Sequence, residues 1–148
     1  MPGSRGGRNA RLTRTRCETT TVRMNQDSAP TVANAWPWPD SLDALVAAPA
    51  HHDLLLEDHR VRIVHTHIAP GGIAPLHTHR WSGIAYLQSF SHFIRRNEHG
   101  KITFDSREAG DPPLTPCAQW LQPLPPHTVE NVGDSEISIL IIELKERA

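Results

Sequence analysis

His77 and His79 stand two residues apart, and in an extended strand residues i and i+2 point to one face. Two imidazoles side by side in that way can hold one divalent ion, and a third from another strand would complete one face of an octahedron. His127, which follows the Pro-rich turn Pro123 to Pro126 and so opens a strand, is the third candidate. His65 and His67 repeat the spacing, either as a rival pair or as partners in a four-His site. The Gly71-Gly72 turn ahead of the first pair and the Pro-bounded His127 downstream favour the set His77, His79 and His127. The other five, His51, His52, His59, His92 and His99, read as ordinary hydrogen-bonded side chains.

Around such a centre, alternation decides which neighbours share the cavity. Tyr86 and Gln88 on one strand are the candidate catalytic groups if their parity follows the ligands, with Gln119 on another strand beside them. Trp81 keeps the parity of His79 and would form a wall, whereas Trp120 and Phe90 read as core. Arg95 and Arg96 are adjacent and point oppositely. Exposure of both is the simpler reading, and one turned inward would pair with a substrate carboxylate. Glu143 lies in the apolar run of the last strand, where a carboxylate needs a partner. It is a candidate acceptor for the second nitrogen of a ligand imidazole. Glu130 differs in parity from His127 and should point outward. Cys117 reads as a small hydrophobe, and no Ser/His/Asp order, phosphate loop or nucleotide fingerprint is present.

These residues must be positioned by short strands. From residue 60 the pattern has period two: Val61 to Ile68, Leu76 to Arg80, Gly83 to Phe90, His92 to Arg96, Lys101 to Asp105, Cys117 to Gln122, His127 to Val132 and Glu136 to Lys145. About eight such strands predict an all-β sandwich or barrel, residues 60–148. Ahead of it, residues 30–59 form an arm and one short helix. That helix is capped by Asp40 or Ser41, ends before Pro49, and turns Leu42, Leu45 and Val46 to one side. Trp36 and Trp38 in the arm need cover.

The 148 residues, 38% hydrophobic and 21% charged, fit one domain of ordinary core size. No apolar run is long enough for a membrane helix, and two Cys make no disulfide framework, so a cytoplasmic setting is expected. Residues 1–29 read as a disordered basic leader, with Met24 a candidate natural start. Residues 1–23 hold six Arg against Glu18 alone, and the rest of the chain is acidic, so nucleic-acid binding is not expected.

Gly71, five residues, then His77-Thr-His79 resembles the first motif of the cupin superfamily. His127, three residues, then Asn131 within Pro125 to Asp134 resembles the second motif in small single-domain cupins. The resemblance implies an antiparallel jelly-roll β-barrel holding a metal on His77, His79 and His127. Where the first motif carries a Glu, this chain has Gly83 or Ile84, and Leu124 stands where the second motif has a Gly. Three neutral imidazoles leave the full +2 on the metal, which favours an anionic ligand. Cupin oxygenases with three-His iron sites make a dioxygenase acting on a small anionic molecule the leading expectation. Fe(II) is favoured over Zn, Mn or Ni, and a homodimer is the expected assembly. The rivals are a metal-dependent isomerase or lyase and a noncatalytic ligand-binding barrel.

Overall fold

The computed structural model describes residues 36–145. The basic leader, the candidate start at Met24 and the first part of the arm lie outside them. A 3-10 turn (Asp40–Leu42) and α1 (Ala44–Ala47) precede nine strands: β1 (His52–Glu57), β2 (Val61–Ile68), β3 (Ile73–His79), β4 (Gly83–Ser89), β5 (Phe93–Asn97), β6 (Ile102–Asp105), β7 (Cys117–Leu121), β8 (Leu124–Asn131) and β9 (Ile137–Leu144). They form two antiparallel sheets, ordered β1-β2-β9-β4-β7 and β3-β8-β5-β6. The expected all-β, antiparallel jelly-roll architecture with one short helix is present. No helix among the described residues is long and apolar enough to cross a membrane.

Alternation sets the inside of the barrel. On β2 every second residue, Arg62, Val64, Thr66 and Ile68, is buried. Their partners on β9 are Glu143, Ile141, Ile139 and Ile137, so one face of that strand pair turns inward. At one end Ile68, Ala74 and Ile137 pack with Phe93, Val129 and Ile139. Asn131 fastens that end: its side-chain amide donates to the Ile68 and Ser135 carbonyls, and its Oδ1 accepts from Gly133 N–H.

Two expectations are corrected. The barrel begins at His52, not at residue 60, because β1 pairs with β2 along the edge of the five-stranded sheet. The helix is capped by Asp43, whose carboxylate accepts from Leu45 N–H. It buries Ala44 and Ala48 and leaves Val46 exposed, so its inward side is not the Leu42, Leu45, Val46 stripe. Thr78 on β3 donates to the Leu42 carbonyl, which docks the turn onto the four-stranded sheet. Trp36 and Trp38 cover each other edge to face at 4.7 Å.

Candidate metal centre

β3 and β8 bring the sequence-predicted ligands together: His77 lies directly opposite His127, and His79 opposite Leu124. His77, His79 and His127 are all buried. The ring centroids of His77 and His127 are 4.3 Å apart, those of His77 and His79 5.2 Å, and those of His79 and His127 5.9 Å. His52, taken from sequence as an ordinary side chain, joins them from β1, 4.6 Å from His77 and 5.4 Å from His79. Among the described residues, His52, His77 and His79 form a group whose potential ligand atoms all lie within 4.8 Å of one another, and His127 stands outside that group.

Each ring is held by its Nδ1. His52 Nδ1 lies 3.0 Å from the Ala48 carbonyl, His77 Nδ1 2.7 Å from that of Pro75, and His127 Nδ1 2.7 Å from that of Pro125. A carbonyl only accepts, so each Nδ1 carries the proton and each Nε2 keeps its lone pair. His79 Nδ1 lies 3.0 Å from Glu143 Oε1, which fulfils the acceptor role expected of that carboxylate. Glu143 also accepts from Arg62 Nε, and Arg62 reaches on to Asp43 at 2.9 and 3.1 Å. Burial opposes ionisation of Glu143, but the bonds from His79 and Arg62 outweigh it and hold its pKa below the usual value. The same balance raises Arg62.

Three of the imidazoles, His52, His77 and His127, are kept neutral. Burial first, and then His79, lowers His52 to about 4. Burial, with His79 and His52 adding to it, lowers His77 to about 2. His127 falls well below its ordinary value through burial, His77 and Arg95. Imidazoles with Nε2 left available are the form a divalent cation requires, so the donor set fits a metal.

The candidate neighbours divide. Tyr86 and Gln88 are not in the cavity: on β4 the buried residues are Gly83, Ala85 and Leu87, and Tyr86 and Gln88 face outward. Gln119 and Cys117 lie opposite inward Ala85 and Leu87, so β7 turns them to the barrel side. Trp81 forms no wall of the centre. It stacks under Arg62 at 4.8 Å and lines, with Trp36, Asp43 and Arg80, a cleft of about 370 Å³ beyond that arginine. Trp120 is 57% exposed on the outer face instead of packing in the core. Arg95 lies opposite Val129 on the inward side, over the Phe93 ring and close enough to disfavour protonation of His77 and His127. Burial lowers Arg95 itself to about 10, so it is still charged at neutral pH. Arg96 turns the other way, to Glu130 at 2.7 Å.

His65 and His67 face the outer side of β2, so they cannot join the centre. His67 Nε2 lies 3.1 Å from Asp53 and His65 Nε2 2.9 Å from Ser138. Gly83 stands inward and directly opposite Glu143, and a Cβ there would come within 1.9 Å of the Ile142 carbonyl oxygen.

No protein-family model matches the sequence, and no curated protein matches it. Solved structures do. A cupin domain from Bordetella pertussis superposes with a TM-score of 0.50 at 18% identity, covering 64% of this chain and 92% of that one. A cupin-family protein with a double-stranded β-helix from Methanocaldococcus jannaschii gives 0.44 at 8% identity, over 78% of this chain and 93% of its own. A polyketide cyclase from Streptomyces resistomycificus gives 0.42 at 18% identity, over 65% of each chain. The chain therefore has the fold of that cupin domain from Bordetella pertussis.

Proposed function

We propose that this cupin-fold protein binds a divalent metal, Fe(II) by preference, through His77, His79 and His127, and acts as a dioxygenase on a small anionic organic molecule. The observation that carries the reading is the convergence of these three buried imidazoles, each with its Nδ1 proton fixed by an acceptor. Zn, Mn or Ni would fit the same nitrogens. When bound there, a divalent metal supplies Lewis acidity and, as ferrous iron, redox chemistry toward O₂.

The protein's own groups do the rest. The Pro75 and Pro125 carbonyls and Glu143 fix ring orientation and tautomer. Burial keeps water from competing. Position 83 supplies no carboxylate ligand, because glycine stands there, so the centre keeps its full positive charge. Arg95 adds a further cation beside His77 and His127, which supports an anionic substrate whose carboxylate the guanidinium holds. A homodimer built on the outer face of the five-stranded sheet, in a reducing cytoplasm, belongs to the same reading.

The test is metal analysis of untagged protein, followed by oxygen uptake with pooled small acids and thiols. Bound iron with substrate-dependent uptake is the expected result. Stoichiometric metal without uptake would replace dioxygenation by isomerase or lyase chemistry, and absence of metal would leave a ligand-binding barrel.

A further inference from the structure

We infer that His52 is itself a metal ligand, the fourth imidazole of the centre, supplied by the five-stranded sheet to a set otherwise carried by the four-stranded one. The inference rests on the metal-binding reading above and adds a residue that no part of the two motifs contains.

His52 is 3% exposed, and its Nδ1 proton goes to the Ala48 carbonyl. That leaves Nε2 as a lone-pair acceptor, fully buried and without a hydrogen-bond partner. A buried acceptor with nothing to accept from is costly, and native structures rarely keep one without a reason. The reason lies beside it: the ligand atoms of His52, His77 and His79 sit within 4.8 Å of one another, the spacing of donors around one cation.

The backbone explains why a fourth donor comes from β1. On β4, the inward position nearest His79's partner Glu143 is Gly83, and the Ile142–Glu143 backbone fills the space a side chain there would need. Position 83 therefore supplies no carboxylate ligand. β1 approaches from the edge of the same sheet, where His52 pairs with Thr66 and follows the buried parity of β2. A metal at this position therefore ties β1 to β3, and binding should brace the sheet edge as well as fill the site.

The test uses the full chain stripped of metal and titrated with Co(II), read by its visible ligand-field bands and by competition with a chelator. His52→Ala and the volume-keeping His52→Leu are compared with His79→Ala and with His65→Ala as a surface control. Circular dichroism of the metal-free forms establishes that each variant is folded. Expected is a loss of Co(II) affinity of at least about tenfold in both His52 variants, changed band positions, and a smaller metal-induced rise in melting temperature. Wild-type affinity and spectrum in a folded His52 variant, with His79→Ala impaired, would overturn the inference and leave the three-His centre standing. Wild-type affinity in His79→Ala as well would overturn the centre. If neither His52 variant folds, the bands of the wild-type Co(II) protein decide: a four-nitrogen field upholds the inference and a three-nitrogen field overturns it.

Discussion

Four Nδ1–H groups are fixed at the centre, and only one of their acceptors is charged. Glu143 makes the His79 imidazole more electron-rich than the carbonyls make its neighbours, and Arg62 holds the carboxylate in place. Glu143→Gln should therefore lower metal affinity about 10- to 100-fold while leaving the barrel folded, since Arg62 keeps Asp43 as a partner. Chelator competition on the purified variant measures it, and unchanged affinity would reduce Glu143 to a structural ion pair. Glu143 was readable in the sequence because a carboxylate amid Ile141, Ile142 and Leu144 has to be satisfied. That His77, His79 and His127 lie close together was readable from strand spacing together with the motif resemblance. Tyr86 and Gln88 were misassigned against the alternation itself: the buried His77 and His79 continue in the same odd series as the buried Gly83, Ala85 and Leu87, and Tyr86 and Gln88 fall between those positions. Of Arg95 and Arg96, alternation could say only that one turns inward.

At the scale of elements, β1 escaped the sequence reading because Leu54, Leu55 and Leu56 run consecutively and break the period of two. The strand carries a register shift between Leu54 and Leu56 and is an edge strand among the described residues, and these leucines are exposed. His52 was lost with the strand that carries it. β4 and β9 approach closely at Gly83, and Gly83→Ala should destabilise the protein by about 3 kcal/mol, because the obstacle is backbone and cannot rotate away. Urea unfolding would register this, and a change below about 0.5 kcal/mol would mean that the two strands part easily. The buried imidazoles of His52 on β1, His77 on β3 and His127 on β8 also set an acid limit for the metal-free protein. Their folded pKa values lie below the unfolded 6.5, so the unfolded chain binds more protons as pH drops through 6.5. Stability should then fall by about 1.4 kcal/mol per pH unit for each imidazole, down to about 4 for His52 and further for His77. Depressed carboxylates such as Asp105 act only below their ordinary value of 3.8, so urea midpoints at pH 7 and pH 5 isolate the histidines. Equal midpoints at those two pH values would show that protonated imidazoles are accommodated.

At the scale of the molecule, the outer face of the five-stranded sheet is the apolar surface that the described residues leave exposed. Ile63 and Ile142 pair across β2 and β9, Ile84 and Tyr86 continue the row on β4, and Trp120 ends it on β7 opposite Ile84. Trp120 is 57% exposed and Ile84 and Tyr86 each 37%, a contiguous apolar surface of the kind that soluble monomers seldom leave open. The face is built from paired strands, so a second copy related by a two-fold axis can stack sheet on sheet and bury the same row from both sides. Alternation hid this in the sequence, because a strand apolar on both faces shows which residues are apolar but not which side is core. Trp120→Asp combined with Ile84→Asp should convert a dimer into a monomer at micromolar concentration, as sedimentation equilibrium would report. Metal content should stay at the wild-type level, since Ile84 and Trp120 point away from the cavity side that Ala85 and Gln119 share. A wild-type chain that sediments as a monomer would remove the dimer, and loss of metal in the double variant would mean that the outer face supports the centre directly.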